Sequence, residues 1–300
     1  MADAPLKAVK DTAPKPAKKA GLRPDFATLC GIAVAMLGMI GGLLLEHGSI
    51  SDISQMTAAM IVMGGTLGAV LVTTPMAVFL RACGGLGSAF FERADSISVT
   101  IETLIGYATK ARKNGIVSLE LEASTITDPF LRKAVNLAVD GTDLQELRKM
   151  MELEIALAEQ TSEAEAKVWE AAGGYAPTIG IIGAVMGLIQ VMKSLEDIKA
   201  VGHGIAVAFV ATVYGVASAN ILFLPVASKL KARMRTEMLL KDLILEGVVG
   251  IVEGLNPTLI RVKLEAYNQD GKKAAKGKPG KVPSPAAKSR SAAGESQAAR

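Results

Sequence analysis

The sequence predicts an all-α multi-pass membrane protein: four transmembrane helices with a large helical domain on one side of the bilayer. Three observations carry that prediction. Four runs, 26–45, 56–80, 171–192 and 204–228, contain no Asp, Glu, Lys, Arg or His. Each reaches the ~20 residues that a helix rising ~1.5 Å per residue needs to cross a bilayer core. Of the 300 residues, 50% are hydrophobic and 21% charged, and the two populations are segregated along the chain, as in a membrane protein with an aqueous part. Small residues recur at helical spacing inside the runs: Gly38-x-x-x-Gly42, Gly64-x-x-x-Gly68, Gly183-x-x-x-Gly187 and Ala211-x-x-x-Gly215-x-x-x-Ala219. Such stripes let helix backbones approach in lipid, where no hydrophobic force drives association. On sequence alone they serve packing.

In chain order, residues 1–24 form a Lys-, Ala- and Pro-rich stretch that cannot bury enough surface to fold, and it is expected to be a disordered cytoplasmic tail. No Ala-x-Ala site follows the first long apolar run, so the tail is read as retained. Residues 25–80 hold the first two spans. Six Lys/Arg precede the first span, none lies in the link EHGSISDISQ, and Arg81 and Arg93 follow the second. The positive-inside rule therefore puts the N-terminus in the cytoplasm and the link outside.

Residues 81–170 are the expected cytoplasmic helical domain. Ile97, Ile101, Leu104, Ile105 and Ala108 recur at helical spacing and predict an amphipathic helix over 96–113. Asn114-Gly115 ends it, a second element covers about 116–123, Asp128-Pro129 opens another, and Asp140-Gly141 is a turn. Thr142 to Glu170 reads as one long helix running into the third span, with Trp169 at the membrane boundary. Residues 171–228 hold the third and fourth spans, joined outside by KSLEDIKAVGH. The basic stretch KLKARMR then anchors the exit in the cytoplasm and opens a C-terminal helical segment, 229–268. Residues 269–300 read as a disordered basic tail, so both termini are expected to be cytoplasmic.

Several function classes find no support. Cys30, Cys83 and the two histidines have no metal-ligand spacing and no disulfide framework. The net charge of +4 is mild, and the basic residues are not interleaved with aromatics, so no nucleic-acid partner is expected. No nucleophile–base pair is visible; neither an enzyme nor a cofactor is expected. The polar side chains available are Thr66, Thr73 and Thr74 in the second span, Thr178 and Gln190 in the third, and Thr212, Tyr214, Ser218 and Asn220 in the fourth. They can line a wet path but cannot relay a proton by titrating near neutral pH. Intramembrane ionisable groups usually mark ion pathways, so either the chain conducts nothing or a partner supplies the carboxylate. Pro177 and Pro225 are expected at similar depth toward the cytoplasmic ends of the third and fourth spans, where they are either ordinary kinks or stops or a hinge.

The stretches ATKARKNGIVSLE (108–120), APTIGIIGAVMGL (176–188), AVAFVATVYG (206–215) and FLPVASKL (223–230) occur in an order and topology that resemble the MotA/PomA stator subunits of the bacterial flagellar motor, within the MotA/TolQ/ExbB superfamily. The resemblance covers about residues 25–268. It implies a ring of five in the bacterial inner membrane around two copies of a single-span MotB/PomB-type partner. That partner carries the ion-binding aspartate and a peptidoglycan-binding domain, and ion flow turns the ring against the rotor protein FliG.

By the same resemblance, Arg112 and Glu120 engage rotor charges, with Lys113 and Glu122 as weaker candidates. Sequence alone would class all of them as solvated surface charges. Pro177 and Pro225 match the family's hinge prolines, and Thr212 its ion-pathway threonine, with Tyr214 two residues on. Sodium-driven members typically carry a second hydroxyl where this chain has Ala184. Ala184 and Thr212 lie roughly 20 and 24 Å from the cytoplasmic side at ~1.5 Å per residue. The translocated ion is thus expected to be H+, with Na+ possible. Two alternatives stand beside this reading: a TolQ/ExbB-type energiser of envelope proteins, which would have three spans and an outside N-terminus, and a stand-alone ion transporter.

Overall fold

The computed structural model describes residues 22–93 and 97–275. The tails expected at 1–24 and 269–300 lie outside the described residues, except for 22–24 and 269–275. Those two pieces are ordered differently from expectation. Leu22–Pro24 (β1) pairs antiparallel with Phe91–Arg93 (β2), with Arg23 opposite Glu92, and the last helix runs on to Ala275.

The first span is the helix α1, Phe26–Leu45, as the uncharged run predicts. Asp25 caps it, its carboxylate accepting the N–H groups of Ala27 and Thr28 at 3.1 and 3.2 Å. The second span, α2, covers Met56–Thr73 and contains a π-helical turn at Met60–Gly64. It stops short of the expected Leu80. Pro75 has no N–H to give a helix and forces Thr74 into an extended conformation (φ −126°, ψ 131°). A separate helix, α3, resumes over Met76–Phe90 and feeds β2.

Outside the spans, α4 is Ile97–Asn114, ended by Gly115 at φ 81°. A 3-10 turn at Ile116–Leu119 and one α-turn at Glu120–Ala123 follow. Pro129–Val139 is α5, capped by Asp128, and Leu144–Lys193 is α6, capped by Asp143. At 50 residues α6 is ~75 Å long, a single helix through the aqueous domain and the third span. A tight turn leads to α7, Ile198–Val252, of 55 residues, with a π-helical turn at Ser218–Phe223. It begins six residues before the expected Gly204, because Asp197 caps a helix start inside the polar link by accepting the Lys199 N–H. Pro257–Ala275 is α8.

The two halves cohere by different means. In the aqueous domain α4, α5, α8 and the outer lengths of α6 and α7 bury Leu104, Leu119, Leu147, Met151, Leu243 and Leu264 almost completely. Each such side chain contributes about 1.5–3 kcal/mol of hydrophobic burial. Among the spans, α6 and α7 pack glycine against backbone, and α2 lies along them through Ala58, Val62 and Val70. By contrast, α1 has no buried residue.

Candidate functional site

The hairpin of α6 and α7 is closed by the small-residue stripes. A Cβ placed on Gly215 would come 2.5 Å from the Ala176 carbonyl oxygen. One on Gly180 would come 2.9 Å from the Ala211 carbonyl, and one on Gly187 2.8 Å from the Gly204 carbonyl. These contacts fix the register. Thr212 lies opposite Gly180, and Ala211 opposite Gly183, which puts Ala184 about one turn from Thr212 along the hairpin. Both Thr212 and Ala184 are half-buried. The Thr212 hydroxyl donates to its own helix at the Ala208 carbonyl, 3.2 Å. Thr73 and Thr178 back-bond in the same way. Thr66 differs: it is fully buried in α2, and its hydroxyl has no hydrogen-bond partner among the described residues. Tyr214 pins the start of α2, its hydroxyl donating to the Ile53 carbonyl at 2.5 Å and accepting the Gln55 N–H at 3.4 Å.

The prolines sit at different levels. Gly215 against Ala176 places Pro177 opposite the middle of the fourth span. Pro225 lies lower, where Phe223 stacks on Trp169 with centroids 6.2 Å apart and Leu224 fills the space over Gly173. The two are about two turns apart along the hairpin, not at one depth. Helix α6 continues through Pro177, whereas in α7 a π-helical turn lies just before Pro225.

A collar ties the spans to the aqueous domain. Trp169 donates from its indole nitrogen to the Ala82 carbonyl at 3.4 Å, and Lys231 pairs with Glu170 at 2.6 Å. Lys229 pairs with the Asp25 carboxylate that caps α1. The hydrogen bond from Lys229 holds the Asp25 carboxyl below the usual carboxylate range, against the opposing effect of burial. Sequence reasoning missed Asp25, although an Asp immediately before an apolar run is a helix-start signal.

The expected rotor-facing charges separate into two kinds. Arg112 and Lys113 close α4, and Glu120 opens the turn after Gly115. All three are exposed, with no ion-pair or hydrogen-bond partner among the described residues. Glu122 is half-buried and paired with Lys110 at 2.5 Å, which straps the 116–123 segment to α4. Its charge, after burial itself, also pushes the Tyr107 phenol up. The helix directions place this cluster far from the spans, since α6 descends ~37 Å from Trp169 to Leu144 beside it. Among the described residues no group of His, Cys, Asp and Glu is arranged to hold a metal ion.

Tightly packed uncharged spans, two of them continuous with long helices of the aqueous domain that run beside a tip of exposed, unpaired charges, define a class of membrane protein in which a helical hairpin passes without a break into an aqueous helical domain. The comparisons with known proteins specify it. Residues 122–242 match the MotA/TolQ/ExbB proton channel family, and residues 29–115 match the motility protein A N-terminal model. The chain is 36% identical to the chemotaxis protein PomA of Vibrio alginolyticus over 250 residues, covering 83% of this chain and 98% of that one. It is 33% identical to motility protein A of Bacillus subtilis over 247 residues, covering 81% and 90%. The structure of C. jejuni MotAB superposes with a TM-score of 0.78 at 31% identity, covering 81% of this chain and 95% of that chain. The flagellar MotAB stator complex from Bacillus subtilis gives 0.75 at 31%, covering 83% and 98%. The chain belongs to the MotA/TolQ/ExbB proton channel family, on its motility protein A branch.

Proposed function

We propose that the chain is the ring-forming subunit of a flagellar stator in the bacterial inner membrane, with both termini in the cytoplasm. It works with a single-span MotB/PomB-type partner and drives the rotor protein FliG. The partner supplies the carboxylate that the four spans lack, protons are the translocated ion, and the chain itself is no enzyme. The observation that carries this reading is the pairing of uncharged, glycine-sealed spans with Arg112, Lys113 and Glu120, left unpaired on α4 and the turn after it, beside the far ends of helices ~75 Å long or longer. Charge left unsatisfied within the fold is available to a partner and steers contact more than it holds structure. The membership found above and the likeness to MotAB complexes support the same reading.

The test is charge reversal in a motile host. Arg112→Glu or Glu120→Lys is expected to weaken rotation while leaving the membrane complex assembled, with matched reversals on the rotor restoring part of it. Loss of assembly in either variant would make the residue structural and remove the rotor contact from this face. For orientation, a reporter at residue 1 is expected to read cytoplasmic; an outside reading would favour a TolQ/ExbB-type energiser.

A further inference from the structure

Three helix ends meet at the tip that carries Arg112. Helices α4, α5 and α7 each stop at a glycine in the left-handed region: Gly115 at φ 81°, Gly141 at φ 72° and Gly254 at φ 71°. The last turns of α5 and α7 are closed in matching fashion. Gly141 and Thr142 donate to the Ala138 and Leu137 carbonyls, and Gly254 and Leu255 donate to the Ile251 and Gly250 carbonyls. The carbonyls that would otherwise face outward are therefore satisfied internally. Between these ends lies a cavity of about 340 Å³, walled by Ala108, Ala111, Ile116, Ala138, Val252 and Leu255, with Arg112 at its edge.

We infer that this cavity is a socket for one apolar side chain on a helix of the rotor partner, presented beside a carboxylate that pairs with Arg112. This rests on the proposed rotor contact and adds its anchor. Charge complementarity selects the occupant. The guanidinium is exposed and unpaired and calls for an anion. The socket itself takes no anion, because it is apolar and bounded by the negative ends of helix dipoles. An acid at the rim with an apolar neighbour in the socket meets both conditions. Exposed charge pairs contribute little affinity by themselves, whereas an apolar anchor in a desolvated pocket carries much of an interface's energy.

The experiment uses the full chain with its single-span partner in a motile host. Ala111→Phe and, independently, Thr142→Phe fill the socket without changing charge. Each is expected to cut stall torque by about fivefold or more, the loss of one anchor, while the number of complexes at the motor and ion flux in vesicles stay at wild-type levels. A Thr142→Cys variant, nearly isosteric, is expected to cross-link to cysteines on the rotor protein. Torque within about twofold of wild type in both Phe variants, with Arg112→Glu still impaired, overturns the socket and leaves the rotor contact standing. Full torque in Arg112→Glu as well removes both. If the Phe variants fail to assemble, the cross-link decides: capture of the rotor protein supports the socket, and capture of a second copy of this chain, or none, overturns it.

Discussion

Helix α1 and the α6–α7 hairpin carry the same sequence signal and meet opposite fates. In the hairpin, Gly180, Gly187 and Gly215 each lie so close to the facing backbone that an added methyl group would clash. In α1, Gly31, Gly38, Gly41 and Gly42 have nothing within 4 Å of where a Cβ would be. The hairpin is a finished interface within one chain. Helix α1 is attached at its foot, by the β1–β2 ribbon, the Asp25 N–H to the Phe90 carbonyl at 2.8 Å, and the Asp25–Lys229 pair. A small-residue stripe therefore reports that a helix can be approached closely. It does not report whether the approaching backbone belongs to the same chain.

The largest expected effect lies inside the hairpin. Gly215→Ala puts a methyl group against the Ala176 carbonyl, and neither backbone can yield without separating the helices. Overpacking of this kind costs about 1–3 kcal/mol or more, so a clear fall in membrane accumulation and in thermal midpoint in detergent is expected. Gly38→Ala is expected to stay within about 0.5 kcal/mol of wild type. Equal losses at the two positions would break the comparison, since they would mean that α1 is as closely packed as the hairpin.

Next comes the foot of α1. Removing the Asp25 side chain by Asp25→Ala abolishes the cap and breaks the pair with Lys229. Loss of a helix cap costs about 0.5–2 kcal/mol, to be read as a lowered thermal midpoint and faster proteolysis at the start of α1. Lys229→Met should be partly redundant with it in a double-mutant cycle. The pH dependence has a definite sign. Folding lowers the Asp25 pKa, so its contribution is complete above the unfolded carboxylate value of about 4 and disappears as pH falls through the lower folded value. A midpoint that responded to pH between 6 and 8 through Asp25 would contradict the assigned pairing.

What sequence could and could not show follows from range. The ends of α1 were legible because charge vanishes abruptly at Phe26 and returns at Glu46, and Asn114-Gly115 and Asp128-Pro129 announce their turns locally. The break at Thr74-Pro75 was hidden by continuous hydrophobicity on both sides. The start of α7 was hidden by the opposite effect, since Asp197 and Lys199 read as loop although one of them caps the helix. The ribbon of 22–24 with 91–93 joins segments far apart in sequence, and neither is long enough to show a strand period. The difference between Glu120 and Glu122 was likewise invisible, because it depends on whether Lys110 turns toward one or the other.

That difference gives a smaller effect and carries the comparison of open with closed surfaces to the tip. Glu122→Gln breaks a half-buried pair and is expected to destabilise the aqueous domain by about 1 kcal/mol, seen as a lowered thermal midpoint. Glu120→Gln, at an exposed and unpaired position, is expected to leave the midpoint unchanged while altering rotation. If Glu120→Gln also lowered the midpoint, the two carboxylates would not differ in the way the geometry indicates.

The smallest expected effect concerns the ion, and it follows from how tightly the hairpin is closed. No ion passes between α6 and α7 of one chain, because carbonyl oxygens of one helix lie against the α-carbons of the other along the stripe. A path must run over a face of the hairpin, and Thr212 and Ala184, both half-buried, are the side chains about one turn apart that remain accessible there. Tyr214 is committed elsewhere, its hydroxyl held at the start of α2 by donating to Ile53 and accepting from Gln55. Thr212 offers one oxygen whose proton is held by Ala208, and Ala184 offers a methyl. A hard cation that sheds its hydration shell needs several oxygens at close range, whereas a proton needs only an acid from the partner and water. Rotation at fixed proton-motive force is therefore expected to change by less than about twofold between sodium-free medium and high external sodium, and to stop with a protonophore. Speed that followed external sodium would place the missing ligands on the partner's span. The open hairpin face would then be only half of the site.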